Sequence, residues 1–485
     1  MRRDSMDKEK YTQLIEDSAE IFTDVSDRIW EFAELSVKEY KSCDLYVKVL
    51  KELGFEVTCP FDNIETAFIG KYGEGHPVIG ILAEYDALSG LSQKGGSYVR
   101  EEIVKNGSGH GCGHNMLGAG SLAAAYGIKK YLEDNPGKGT VIFYGCPGEE
   151  GGAAKAFFAR DGVFSDTDIA LTWHPGDANS VVSGTCNSCI QTEYSFKGIA
   201  SHAAGAPERG RSALDAVQLM NMGVEFMREH IPDGDRLHYA ITDTGGPSPN
   251  VVQPHAKVLY MVRSTWVKNA LKLQERLDKM AVAASMMTET EMTKQFIDGC
   301  SNTVSNSVLE QLLYDNLKAV PLPRYTEEEL DYAKHLYDAI EVKNPDLPGV
   351  SAGMSKEIVE EIRKLSLDGT KVINDFIVPY EHSDHESRGS TDVGDVSWCI
   401  PTAQIHTACF VSKSPGHSWQ NVSCGKTSIG HKGLLLAAKV LCRSAIDLYE
   451  DHTIIERAKA EFEEKTKGGF LSPVPADAVL RPLED

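Results

Sequence analysis

The sequence predicts an α/β protein: a mixed, mostly parallel sheet with helices on both faces, carrying a smaller inserted α+β domain. Three observations predict it. In the first 190 residues, short and nearly continuous apolar runs alternate with helix-length segments, the pattern of strands buried on both faces. Near Cys189 this gives way to half-apolar strands and two long helices, which suit a compact α+β unit. Beyond residue 400 an apolar run and a long amphipathic helix restore the first pattern, so the chain leaves the larger domain and returns to it. At about 150 residues per domain, 485 residues suit two or more domains with ample core.

Taken in order, Tyr11 to Val49 reads as helical, with Leu14, Ile21, Val25 and Ile29 on one face and Gly54 ending the last turn. Strands follow in ETAFIGKYG and PVIGILAEYDAL, then the small-residue helix LGAGSLAAAYGIKKYLED, then strands in TVIFYGC and DIALTWHP. The inserted unit offers IQTEYSFKG, a helix from Ser212 to Arg228, a strand near His238 to Thr242, the strand AKVLYMVRSTW and a helix from Lys268 to Met287. From Thr303 to Leu367 the chain is charged and helix-rich, punctuated by Pro321, Pro323, Pro345 and Pro348. IPTAQIHTACFV is a returning strand, and HKGLLLAAKVLCRSAIDLY closes the larger domain. The boundaries expected are 1–190 with 304–485 for the larger domain, a helix-rich insertion over about 304–387, and 191–303 for the smaller one.

Forty-nine Lys and Arg against 71 Asp and Glu give a net charge of −22 with no basic block, which argues against nucleic acid and anionic membrane as partners. No apolar run approaches the roughly 18 residues of a spanning helix, and the N-terminus lacks the apolar region of a signal peptide, so a soluble cytoplasmic protein is expected. Eleven scattered cysteines, an odd number, fit reduced thiols better than a disulfide framework. Two motifs mislead. Gly118-Ala-Gly120-Ser-Leu-Ala123 imitates a dinucleotide fingerprint but follows no strand. Cys186 and Cys189 have no second pair at zinc-finger spacing and read as core thiols.

The densest chemistry lies in GSGHGCGHN, where His110, Cys112 and His114 alternate among glycines that permit the close packing of a metal site. A flexible glycine turn is the plain alternative. Glu149 and Glu150 follow a buried strand and are flanked by Pro147, Gly148, Gly151 and Gly152. Neighbouring carboxylates there diverge, so one can bind a cation while the other serves as base, although such pairs are usually solvated surface. His174, in LTWHP, and His417, in KSPGHSWQ, read equally well as packed histidines or as ligands. Cys112 with His114, Glu149 with Glu150, and His174 are each expected just after an apolar strand, where the loops of an α/β sheet converge, and this joint occurrence favours a site.

In this order HGCGHN, PGEEGG, WHP, SHAAGAPERGRSALDA, PNVVQPHAKVLYMVR and GHSWQ resemble the di-metal amidohydrolases of the aminoacylase and carboxypeptidase superfamily, metallopeptidase family twenty, in the branch of aminoacylases, hippurate hydrolases and auxin-conjugate hydrolases. The resemblance spans roughly residues 10 to 450 and implies a sheet of the metal-dependent exopeptidase type with a ferredoxin-like lid and dimerisation domain. It implies metal ligation by Cys112, His114, Glu150, His174 and His417, and a general base at Glu149. It further implies a lid histidine at His202 that reaches a neighbouring subunit's site, and a substrate grip by Asn250 and Arg263, with Arg263 on a terminal carboxylate.

The implied cofactor is two divalent ions per chain, manganese by the resemblance, with zinc favoured by the softness of the thiolate. The implied reaction is hydrolysis of the amide of a small N-acyl or N-aroyl amino acid such as p-aminobenzoyl-glutamate, in a homodimer or in a heteromer with a related subunit. The alternatives are a non-catalytic partner subunit of a related amidohydrolase, or an aminoacylase or dipeptidase of different preference. Two departures stand out. Leu82-Ala-Glu84, followed by Asp86, replaces a His-x-Asp ligand motif, leaving Cys112 or His114 to compensate. Asn115 stands where that branch has Asp, so a carboxylate behind the ligands is expected to be missing.

Overall fold

The computed structural model describes residues 2–351 and 353–482. Strands β1 (Glu56–Thr58), β2 (Phe68–Glu74), β3 (Val78–Ala83), β4 (Gly139–Gly145), β5 (Ile169–Gly176) and β6 (Ser180–Val181) come from the first part of the chain. The segment containing β7 (Ser188–Lys197), β8 (Arg236–Asp243), β9 (His255–Ser264) and β10 (Glu291–Cys300) follows, and β11 (Thr402–Ala408) returns. Seven strands form one sheet in the order β1-β2-β4-β3-β5-β11-β6. Its centre, β4-β3-β5-β11, is parallel, and the flanking strands are antiparallel. Every residue of β3 and β4 is buried, which is why both read as unbroken apolar runs.

Helices Ala19–Phe32, His114–Asp134 and Ser428–Glu450 cover one face of this sheet, and Ala154–Arg160 with Val393–Cys399 cover the other. The small residues of His114–Asp134 let it sit close to its neighbours. A Cβ on Gly120 would meet the Trp173 ring at 2.5 Å, and one on Gly118 would overlap Tyr46 and the Glu84 carbonyl. The glycines that imitate a nucleotide motif therefore serve helix packing.

The second sheet is antiparallel, ordered β10-β7-β9-β8, with helices Ala213–Met227 and Val267–Thr288 against it. Ser212 caps the first of these, its side chain accepting from the Asp215 N–H. Strand β10 is not among the strands that the sequence marks: its first half, EMTKQF, is largely exposed at a sheet edge, so no apolar run signals it. Cys186 and Cys189 are buried thiols, and Cys189 faces Cys300 across β7 and β10 with the sulfurs 3.4 Å apart. The N-terminal helical stretch also differs from the single run expected. It is three helices, Arg2–Asp17, Ala19–Phe32 and Tyr40–Glu52, interrupted by Ala33 in the left-handed region and by an extended crossing in which Leu35 pairs with Ala87. No helix among the described residues is long and apolar enough to cross a membrane.

Candidate active site

The carboxyl ends of the parallel strands bring the chemistry together. Glu84 and Asp86 follow β3, Glu149 and Glu150 follow β4, His174 lies within β5, and His417 sits in the loop beyond β11. Crossover connections place all these strand ends on one edge of the sheet, where an open α/β sheet leaves a crevice. Cys112 and His114 are not directly behind a strand as expected. A long excursion separates them from β3 and returns to start the helix His114–Asp134, whose N-cap Gly113 adopts φ +80°. That left-handed residue turns the Cys112 and His114 side chains into the crevice.

Cys112 Sγ lies 3.4 Å from His174 Nε2. His174 Nδ1 is bonded at 2.8 Å to the Pro175 carbonyl, which must accept, so this nitrogen carries the proton and Nε2 presents its lone pair. His114 Nδ1 bonds Asp86 at 2.8 Å, and its Nε2 lies 3.2 Å from Glu84 and 4.0 Å from Glu149. His417 Nε2 lies 3.4 Å from Glu150. Three overlapping groups of donors, each with its ligand atoms within 4.8 Å of one another, result: Cys112, His114 and His174; Cys112, Glu150 and His417; and Glu84, His114 and Glu149. Cys112 belongs to two of them.

Burial dominates the electrostatics. It pushes the Cys112 thiol up, with Glu150 and Glu149 adding to the rise, and drives His174 down to about 4. His114, like Glu84, Asp86 and Lys155, is shifted against it. Burial opposes its charge, yet Cys112 and Asp86 hold it well above the usual imidazole range. Glu149 is raised by burial and by the neighbouring carboxylates of Glu84, Asp392 and Glu150.

Four residues carry no role in the sequence reading. Asp86 accepts from Ser36 Oγ and the Glu150 N–H while orienting His114, so the carboxylate expected to be missing is supplied from the end of β3. Asn115 faces away, donating to Ser26 Oγ and the Gly425 carbonyl. Glu84 places a carboxylate in the cluster where the departure from His-x-Asp suggested a lost donor. Behind it the fully buried Lys155 spans Glu84 at 2.9 Å and Asp392 at 2.5 Å. The paired acids of Leu82-Ala-Glu84-Tyr-Asp86, immediately after an apolar strand, are the visible signal for two of the four.

Arg263, on β9, lines the same crevice and donates through Nη1 to Ser390 Oγ at 2.7 Å. The cavity there, about 440 Å³, is bounded by Glu149, Glu150 and His417 on the sheet side and by Cys189, Gln191 and Arg263 on the lid side. His202 and Asn250 do not line it. They lie together on exposed loops of the smaller α+β unit, where His202 bridges Val251, its Nδ1 accepts from the Ala204 and Gly205 N–H groups, and the Asn250 carbonyl accepts from Ala203.

The chain is similar to known hydrolases. It is 41% identical to a p-aminobenzoyl-glutamate hydrolase subunit of Escherichia coli (strain K12), over 97% of this chain and 98% of that protein. It is 24% identical to the Xaa-Arg dipeptidase of Mus musculus, covering 94% and 92% of the two chains. Among solved structures, a putative aminohydrolase from methicillin-resistant Staphylococcus aureus shares the fold with a TM-score of 0.60 at 15% identity, over 91% of this chain and 99% of that one. Residues 80–403, which run from within β3 to the start of β11 and include every donor of the cluster except His417, match Peptidase family M20/M25/M40. With full-length similarity to one hydrolase subunit and a family match over most of its length, the chain belongs to peptidase family M20/M25/M40, a family of hydrolases.

Proposed function

We propose that the protein is a two-metal amidohydrolase that cleaves N-acyl or N-aroyl amino acids, with p-aminobenzoyl-glutamate as the first substrate to test. The observation that carries it is the donor set itself. Glu84 Oε2, His114 Nε2 and Glu150 Oε1 are buried side-chain atoms without a hydrogen-bond partner among the described residues, and they converge with one thiol and two further imidazoles. Buried polar atoms left without a hydrogen bond are costly unless a cation satisfies them. The mixture of one sulfur with imidazoles and carboxylates suits manganese or zinc. Cys112, His114 and His174 would hold one ion, and Cys112, Glu150 and His417 the other.

Held by these donors, two divalent cations would supply polarisation of the amide carbonyl and acidify a water in the site. Glu149 takes a proton from that water as its oxygen bonds to the amide carbon. The carbon–nitrogen bond then breaks, and Glu149 passes the proton to the leaving nitrogen, giving a carboxylic acid and a free amino acid. Arg263 grips the carboxylate of the amino-acid half, which a planar guanidinium matches in bidentate fashion. His202 and Asn250, lying off the cavity of their own chain, suit a supporting role in the site of a second subunit. That role is the reason to expect a homodimer or a heteromer with a related chain.

Elemental analysis of the purified protein tests this reading together with hydrolysis of p-aminobenzoyl-glutamate. About two divalent ions per chain and release of p-aminobenzoate are expected, with both lowered in C112A. Unchanged metal content in C112A would remove the thiol from the site. A chain that binds metal but hydrolyses nothing alone, yet raises the activity of a related subunit, would be the non-catalytic partner. Cleavage of hippurate or dipeptides but not of p-aminobenzoyl-glutamate would keep the class and change the substrate.

A further inference from the structure

The crevice holds a second guanidinium that the mechanism above does not use. Arg388 lines the same cavity as Arg263, Glu149 and His417. Its backbone is fixed by the strand-like pairing of 385–389 with 185–187: Thr185 N–H donates to the His385 carbonyl at 3.0 Å, Ser387 N–H to Thr185 at 2.7 Å, and Asn187 N–H to Gly389 at 2.8 Å. The residue is therefore held at the cavity wall, beside the start of β7, by a segment that also supplies Ser390 to Arg263.

The two arginines differ in how their charge is compensated. Arg263 donates to Ser390 and acts electrostatically on Asp298, a neighbouring buried acid. Arg388 has no ion pair or hydrogen bond from its side chain among the described residues, although the chain carries 22 more acidic than basic groups. Of the other acids lining the cavity, Asp392 is paired with the buried Lys155, and Glu149 and Glu150 belong to the donor cluster. An unpaired arginine on an open surface is ordinary. One that lines the same cavity as Arg263 adds a second place for an anion.

We propose that Arg388 forms a second anion subsite, which reads a carboxylate on the side chain of the released amino acid, so that conjugates of acidic amino acids are the preferred substrate class. The inference rests on the amidohydrolase reading and on Arg263 as the clamp for the α-carboxylate. A cavity of about 440 Å³ lies within the range that encloses small ligands, with room for an aromatic acyl group and a dicarboxylic amino acid together.

The test compares N-(4-aminobenzoyl)-glutamate with its near-isosteric neutral partner, N-(4-aminobenzoyl)-glutamine, on the metal-loaded wild type, R388Q and R388K. The wild type should favour the glutamate conjugate in kcat/KM. In R388Q that preference should fall by about 10- to 100-fold, mainly through KM, as expected for loss of a charge-assisted hydrogen bond. R388K should recover part of it, because a point charge remains without the planar fork. A wild type that cleaves both conjugates equally, or an R388Q that slows both by the same factor, overturns the subsite and leaves the amidohydrolase intact. Failure of the wild type to hydrolyse either conjugate, or simpler N-aroyl amino acids, counts against the function itself and takes the subsite with it. Arg388 is exposed, so an unchanged melting midpoint checks that R388Q is folded.

Discussion

Glu149 sits among three other carboxylates, those of Glu84, Asp392 and Glu150, and only 4.0 Å from His114. Cations at the neighbouring donors would offset the burial and repulsion that favour its protonated form, leaving a carboxylate able to accept a proton and return it. In E149Q the donors Cys112, His114, Glu150, His174 and His417 are untouched. Metal content should therefore stay near wild type while kcat falls by about 10²- to 10⁴-fold. Elemental analysis and turnover on one preparation check both halves, and near-normal turnover would place the base elsewhere. Sequence chemistry alone could not tell Glu149 from Glu150, because adjacent residues in an extended segment are equivalent until the surrounding groups are known. The backbone separates them: the Glu150 N–H is tied to Asp86, and its carboxylate faces His417.

Among the elements, the parallel strands need their ends fixed for the site to hold its geometry. Asp168, just before β5, receives His76 Nδ1 at 2.6 Å, the Val78 N–H at 2.7 Å and Lys459 Nζ at 2.5 Å. It thereby ties the start of β3 to the helix His452–Lys465. Burial alone would raise its pKa, but the hydrogen bonds from Lys459, His76 and Val78 outweigh burial and lower it. A carboxylate depressed in the folded state contributes stability above its unfolded pKa of about 3.9 and loses that contribution as pH falls through the folded value. D168N should therefore be less stable than wild type at pH 7, by about 1–3 kcal/mol, with the gap holding from pH 7 down to about 4 and narrowing below it. Melting midpoints across that range measure it, and a gap independent of pH would show that charge is not the source.

For the whole molecule, the separation of His202 and Asn250 from the cavity makes the assembly decisive. If His202 acts in a second subunit's site, H202A and E149Q chains are each inactive alone but complementary together. A mixed dimer then contains one site with an intact Glu149 and an intact visiting His202. Random mixing makes half the dimers mixed, so activity should recover to about a quarter of wild type after co-refolding. No recovery from verified mixed dimers would mean that His202 is only the local turn residue its bonds to Ala204 and Gly205 allow.

The layered α/β class is legible in the chain, since strands buried on both faces must be apolar throughout, as in β3 and β4, and helices packed closely must be small-sided, as at Gly118 and Gly120. Cys112, His114, Glu149, Glu150, His174 and His417 are also visible there as candidates, because those residue types are conspicuous among glycines and at strand ends. Which of their atoms meet is settled by packing alone. The folded chain brings Asp86 behind His114 in place of Asn115, sets Glu84 among the donors with Lys155 and Asp392 behind it, and puts Arg263 and Arg388 into one cavity. Burial and periodicity are properties of neighbouring residues and can be read locally, whereas a donor cluster is a meeting of side chains from four strand ends and one helix start, set by sheet order and crossovers that no local pattern encodes.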